Sequence, residues 1–169
     1  MDNVLLKTFS LNDENWLKHA NPWSIWSRFA TLPFIELAIW SRVWIGGYCL
    51  IPLFLLVLWL VINPTLFKAP KTFTSWGSKA VLGERMLLNR SQVPIPPAHQ
   101  RAITILNLLQ TLSTGILAYG LWDLNLHLTL LGTTSLYFSK MWFLDRMVWL
   151  YETSIPTLPE ENTNENTHK

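Results

Sequence analysis

Charged residues are scarce in this sequence, and the scarcities exclude whole classes of protein. Asp, Glu, Lys and Arg make up 14% of its 169 residues, whereas a soluble domain usually carries about 25%. The net charge is only +2, so no basic field indicates nucleic-acid binding. Cys49 is the single cysteine, which excludes an intrachain disulfide and a thiol-rich metal site. These absences disfavour a soluble domain and a nucleic-acid partner.

The motifs of common catalytic and cofactor sites are missing as well. The four histidines lie at positions 19, 99, 127 and 168, without the close His or Glu spacing of zinc and di-iron sites. The glycines form no phosphate-binding loop, and no serine occupies a nucleophile elbow. We therefore expect no metal and no cofactor, and the missing catalytic constellation favours a non-enzymatic protein.

Long uncharged apolar runs are what the sequence has instead. Val43–Ile62 and Ala102–Trp122 contain no charged residue, and a helix of about 20 residues rises about 30 Å, the thickness of a bilayer's hydrocarbon core. The ten tryptophans suit membrane–water interfaces, where the ring is buried and the indole N–H is wet. The pattern predicts an all-α polytopic membrane helix bundle.

Helix-capping and turn residues divide this bundle into two helix hairpins. Asn21-Pro22 is a typical helix start, and Asn63-Pro64 and Asp123–Asn125 are typical ends or turns. We predict spans at about 22–41, 43–62, 102–122 and 126–144. Because Pro33 and Glu36 interrupt the first of these, an arrangement of three spans with an interfacial first helix stays open.

The segment between the hairpins is basic. Residues 64–101 carry six cationic side chains and one carboxylate, a net charge of +5, and short loops rich in Lys and Arg stay in the cytoplasm. We therefore expect both termini to be cytoplasmic and an interfacial helix at about 75–89, with Lys79 and Arg85 solvated. Residues 1–20 are predicted to contain a short interfacial helix, residues 21–151 to form the membrane domain, and residues 152–169 to be a disordered acidic tail.

Polar side chains within the predicted spans are the first candidate ligand-binding residues. A carboxylate in an apolar span is costly, so Glu36 is a functional candidate, with Arg42 and His127 near the same membrane face. The third span carries a polar stripe at helical spacing, which we expect to face inward because lipid cannot satisfy amides. The stripe comprises Thr104, Asn107, Thr111 and Thr114, with Gln110 beside them.

A second candidate site, for an anionic lipid or a partner protein, lies on the predicted cytoplasmic side. Trp142 and Trp149 flank Arg146 at i−4 and i+3, a spacing that suits a cation–π contact. The remaining candidates at this face are basic residues of the first helix and the loop: Arg28, Lys68, Lys71, Lys79, Arg85 and Arg101.

Several blocks of residues resemble a known family. The string from His19 to Arg28, HANPWSIWSR, is the most distinctive, and the similarity continues through residues 40–46, 63–64, 82–85 and 142–151. These blocks resemble an uncharacterised family of small bacterial integral membrane proteins, known only as a domain of unknown function. The resemblance implies a bacterial membrane location, which we take to be the inner membrane, and it carries over no catalytic residue.

Two functions from different classes follow from these observations. The first is a non-enzymatic membrane component that binds a partner protein, a second copy of itself or anionic lipid through the basic, aromatic face. The alternative is a membrane enzyme or carrier that holds a small or lipid-like ligand at the intramembrane polar residues. A third reading, an accessory subunit that holds a pigment or quinone between Trp-rich helices, has less support.

Overall fold

The computed structural model describes residues 14–88 and 95–154, and within these ranges the chain is helical, with no strand. The acidic tail therefore lies almost wholly outside the described residues, as does the start of the N-terminal segment. The helices are α1 (Glu14–His19), α2 (Pro22–Trp40), α3 (Arg42–Ile45), a 3-10 turn (Gly46–Cys49), α4 (Leu50–Leu66), α5 (Trp76–Leu88), α6 (Pro97–Trp122) and α7 (Leu126–Ser154).

The first hairpin is formed by α2 and α4. Asn21 caps α2, its side-chain oxygen accepting from the Trp23 N–H at 2.9 Å, and Pro22 occupies the first turn. The second predicted span differs from the observed helix at both ends. It begins later, at Leu50, because Gly46 adopts a left-handed φ of 55° that breaks the helix. It also continues through Pro64 to Leu66 instead of ending at Asn63-Pro64.

In the second hairpin, α6 and α7 pack closely at two glycines. A Cβ on Gly132 would lie 2.5 Å from the Leu117 backbone nitrogen, and one on Gly120 would lie 2.6 Å from that of Thr129. Small residues at these crossings let the two backbones meet. The turn predicted at 123–125 is present, and Leu124 adopts a φ of 53° there.

Helix α5, from the basic loop, packs against the C-terminal half of α7. Gly83 lies directly on the backbone of Met147, so that a Cβ would overlap the Met147 carbonyl oxygen. A helix is present at Trp76–Leu88, where the interfacial loop helix was predicted, and one face of it is buried in the core. Lys79 is half-buried and bonded to Glu152 at 2.6 Å, and Arg85 is half-buried. The core here consists of Ala80, Leu82, Met86, Ile95, Ile103, Leu106, Phe143, Leu144, Met147, Val148, Leu150 and Tyr151.

Large apolar side chains cover much of the surface. Two helical stretches in the described residues are long and apolar enough to cross a membrane: Pro22–Leu66, which includes the turn between α2 and α4, and Pro97–Trp122. The most apolar window of the first stretch has none of its residues buried inside the protein. The all-helical class is therefore confirmed. These two stretches do not by themselves establish four membrane spans.

Candidate functional site

A cavity of about 410 Å³ lies between α2, α5, α6 and α7. Its size falls in the range of small-molecule sites. Most of its wall is apolar, and the polar groups are concentrated in a few side chains. The lining residues are Ile25, Arg28, Phe29, Leu32, Val81, Glu84, Gln110, Leu136, Tyr137, Lys140 and Leu144.

Three charged side chains from three different helices meet at this cavity. Lys140 of α7 lies 3.3 Å from the Glu84 carboxylate of α5, and each side chain is about one-third exposed (35% and 32%). Arg28 of α2 is held by its own helix, its Nε donating to the Ser24 carbonyl oxygen at 3.1 Å. Two cations and one carboxylate give the cavity a net positive charge, so one positive charge is not balanced by Glu84.

One wall of the cavity is fixed by a hydrogen bond that a proline makes available. In an α-helix, the Phe29 carbonyl would accept from the N–H of residue 33, but Pro33 has no N–H. The Tyr137 hydroxyl donates to this free carbonyl oxygen at 2.6 Å. The rings of Phe29 and Tyr137 also stack, with centroids 6.0 Å apart. α2 and α7 are therefore joined near the middle of each helix by a hydrogen bond and a ring contact.

A polar network between α2 and α4 lies next to Arg28. Asn63 of α4 is fully buried; its side-chain oxygen accepts from the Ser24 hydroxyl at 2.7 Å, and its nitrogen donates to the Ser27 hydroxyl at 2.8 Å. One turn away, the Asn21 side chain donates to the Lys68 carbonyl oxygen at 2.9 Å. The residues of the HANPWSIWSR string therefore hold α2 against α4 and present Arg28 to the cavity.

The predicted intramembrane cluster is not formed. Glu36 accepts a hydrogen bond from the Thr133 hydroxyl at 2.6 Å, and it makes no ion pair in the described residues. Arg42 donates to the carbonyl oxygens of Leu121 and Trp122. The guanidinium thus caps the C-terminus of α6, where the last carbonyls have no helical partner. His127 is exposed, so these residues form no common site.

The polar stripe of α6 faces outward, contrary to the expectation from sequence. Asn107, Thr104, Thr111 and Thr114 are exposed, whereas Gln110 lines the cavity. The threonine hydroxyls donate to carbonyl oxygens one turn earlier in α6, at 2.8 to 3.0 Å. Because these bonds satisfy the hydroxyls within the helix, the threonines need no neighbouring helix.

The candidates of the basic face are spread over the surface. Lys68, Lys71 and Arg101 are exposed, as are Trp142 and Trp149. The predicted cation–π contact is confirmed for Trp149, whose ring centroid lies 5.0 Å from the Arg146 guanidinium carbon. Of the basic candidates, only Arg28 lines the cavity.

Glu84, Tyr137 and Lys140 line the cavity but are not among the candidates predicted from the sequence. One signal was present on α7, where Leu136, Lys140 and Leu144 recur every four residues and so share a face. Glu84 is the single carboxylate of the basic segment 64–101. Its pairing with α7 depends on how α5 docks, which no local pattern in the sequence reveals.

Comparison with known proteins agrees with the resemblance noted from the residue blocks. The model of a family of unknown function, DUF6653, matches residues 1–169. The chain belongs to this family. No curated protein and no solved structure gives a match. Membership in DUF6653 assigns no activity, and the described residues contain no group of three or more His, Cys, Asp or Glu able to hold a metal ion.

Proposed function

We propose that this DUF6653 member is an integral membrane protein that binds an anionic amphiphile, such as an anionic lipid, in the cavity between α2, α5, α6 and α7. The observation that carries the proposal is the presence of two cationic side chains, Arg28 and Lys140, in a mostly apolar wall. Cationic side chains suit a phosphate or carboxylate head group, and apolar side chains suit the hydrocarbon attached to it. This is a binding function, with no reaction assigned.

The surface of α4 supports a membrane location. No charged residue occurs between Val43 and Phe67, and a helix that is apolar on every exposed side is stable in lipid rather than in water. Exposed apolar side chains surround the helix: Leu50, Ile51, Phe54, Leu55, Val57, Leu58, Trp59, Val61 and Ile62.

The arrangement of the hairpins supports four spans with both termini in the cytoplasm. Arg42 bonds to Leu121 and Trp122, which brings the turns of both hairpins to one end. At the opposite end, the Ser78 hydroxyl donates to the Ala20 carbonyl oxygen at 2.7 Å. The loop cations lie at that second end, which the positive-inside rule assigns to the cytoplasm.

The topology can be tested with single cysteines in a Cys49→Ser background. Thr72→Cys lies in the loop between α4 and α5, Asp123→Cys lies in the turn between α6 and α7, and both positions are exposed. In right-side-out vesicles, we expect a membrane-impermeant maleimide to label Asp123→Cys at once and Thr72→Cys only after permeabilisation. Labelling of both positions before permeabilisation would contradict the topology.

The cavity lies at a depth that suits a lipid-like ligand. With a rise of 1.5 Å per residue, Arg28 and Lys140 lie about 20 Å along their helices from the two turns, which is toward the cytoplasmic side of a 30 Å hydrocarbon core. Long cationic side chains at such a depth can reach the head-group region. An amphiphile entering from the cytoplasmic leaflet would keep its head group at the two cations and its chain among the apolar side chains.

Binding can be measured by titrating the full chain in mild detergent with dioctanoyl phosphatidic acid, following tryptophan fluorescence. We expect Lys140→Gln and Arg28→Gln each to weaken binding roughly tenfold, the usual effect of losing one hydrogen bond to a charged group. The opposite sign is expected for Glu84→Gln, which should tighten binding several-fold because it frees Lys140 from its ion pair. A purely structural role of Glu84 would not produce tighter binding.

The controls separate the cavity from the loop surface. Lys68→Gln and Lys71→Gln remove exposed cations outside the cavity and should leave the affinity unchanged, and dioctanoylglycerol, which has no charge, should bind poorly to every variant. If the loop variants weaken binding while Lys140→Gln does not, the anionic ligand binds the basic loop and the cavity proposal is wrong.

A further inference from the structure

Helix α6 has an exposed face composed of polar and small residues, which we call the polar face. Its members recur at intervals of three and four, so they form one stripe along the helix. Gly115 adds an open position, since a Cβ there would meet no atom within 4 Å. The polar face consists of Thr104, Asn107, Thr111, Thr114, Gly115 and Ala118.

A second exposed face of α6 differs sharply in chemistry. It carries Ile105, Leu108, Leu109 and Leu112, whose side chains are 41% to 59% exposed. Large aliphatic side chains suit lipid chains, whereas small and polar ones are typical of contacts between membrane helices. Of the two exposed faces, the polar face is the one with the composition of a helix–helix interface.

The side chain of Asn107 makes exposure of the polar face to lipid energetically unfavourable. Its side-chain amide has two donors and an acceptor, and it makes no hydrogen bond with any residue in 14–88 or 95–154. Asn107 lies within the uncharged run 102–122, where no water is available to satisfy the amide. The side chain is also too short to reach the interface, unlike Lys or Arg.

We infer that the polar face of α6 pairs with the same face of a second copy, forming a parallel dimer about a two-fold axis along the membrane normal. The inference rests on the membrane placement proposed above. Copies inserted in the same orientation place every residue of α6 at the same depth as its equivalent. The two Asn107 amides then face each other, and each can donate to the other's oxygen.

Hydrogen-bond complementarity is what selects a second copy as the occupant. An amide is both donor and acceptor, so it is complementary to itself, and no charge on the polar face calls for an oppositely charged partner. Gly115 and Ala118 lie on the same stripe and allow the two backbones to approach. A dimer with two-fold symmetry repeats each of these contacts twice.

The inference is tested by cross-linking in vesicles that contain the full chain, again in the Cys49→Ser background. Thr111→Cys lies on the polar face, and the adjacent Leu112→Cys is the matched control on the aliphatic face. Under mild oxidation, we expect Thr111→Cys to give a disulfide-linked dimer in most of the protein and Leu112→Cys to give little. Equal cross-linking at the two positions would overturn the inference.

A second measurement follows dimerisation by energy transfer between labelled copies as they are diluted in lipid. Asn107→Leu and Gly115→Leu should each weaken association roughly tenfold, as expected for the loss of an interhelical hydrogen bond or of close approach, while Leu112→Ala should not. At Gly115 an added Cβ meets no atom within 4 Å, so we expect Gly115→Leu to leave the fold of the single chain intact. Unchanged association in both polar-face variants would overturn the inference.

Vesicle flotation separates this inference from the proposed function. A chain that fails to float with vesicles refutes the membrane location and the dimer together. A chain that floats, but whose cross-linking does not follow the polar face, refutes the dimer alone.

Discussion

Gly83→Ala should destabilise the protein more than the addition of a methyl group at any other glycine in the described residues. The new Cβ would overlap the carbonyl oxygen of Met147, and a backbone atom in the middle of α7 cannot move aside as a side-chain end can. Overpacking of a core costs about 1–3 kcal/mol and sometimes more. We expect the upper end, a fall in Tm of roughly 10 °C, measured by circular dichroism of the protein in mild detergent.

Gly77→Ala is the matched control on the same helix. Its Cβ would approach the terminal Cδ1 of Ile25 at 2.9 Å, which a rotation of that flexible side chain can relieve. The alanine also favours the helix over glycine by about 0.5–1 kcal/mol. We therefore expect Gly77→Ala to be nearly neutral. If Gly83→Ala were equally neutral, α5 would not dock on α7 at this crossing.

Asn63→Ala is expected to have the second-largest effect, because it removes the centre of the buried network between α2 and α4. The substitution leaves the Ser24 hydroxyl without its acceptor and leaves a cavity where the fully buried amide was. Loss of a buried hydrogen-bond partner costs about 1–3 kcal/mol, and here two hydrogen bonds are lost. We expect a loss of about 3 kcal/mol, seen in the same thermal measurement.

The network also gives Asn63→Ala a functional signature. Ser24 supplies the carbonyl oxygen that holds Arg28, so Asn63→Ala should weaken phosphatidic acid binding as well as stability. Thr65→Ala is the control, since this exposed hydroxyl donates within α4, to the Ile62 carbonyl oxygen at 2.7 Å. Equal Tm values for Asn63→Ala and Thr65→Ala would show that the network does not hold the first hairpin together.

The elements that could be predicted from the sequence are those marked by local signals. Asn21-Pro22 marks the start of α2, residues 123–125 mark the turn between α6 and α7, and a 13-residue helix, Trp76–Leu88, lies where the loop helix was expected. The start of α4 was predicted too early because the uncharged run around Gly46-Gly47 conceals a break. The residues there are uniformly apolar, but the positive φ of Gly46 interrupts the helical backbone conformation.

The candidate site was harder to predict because it depends on contacts between distant parts of the chain. Arg28 and Gln110 were identified as candidates, the first as a basic residue and the second as an amide in an apolar run. Glu84 and Lys140 are separated by 56 positions, and their pairing follows from the docking of α5 at Gly83. The orientation of α6 was predicted wrongly because threonine can satisfy its hydroxyl within its own helix.

The hydrogen bond between Tyr137 and Phe29 bears on the size of ligand expected under the proposed function. Pro33 has no N–H that could compete for the Phe29 carbonyl oxygen. The hydrogen bond from Tyr137 therefore links the two helices without replacing a backbone hydrogen bond of either one. Separating the two helices here breaks one hydrogen bond and one ring contact, and it breaks no hydrogen bond within either helix. For the binding function proposed above, we therefore expect a larger ligand to separate α2 from α7 at this point without breaking the hydrogen bonds within either helix.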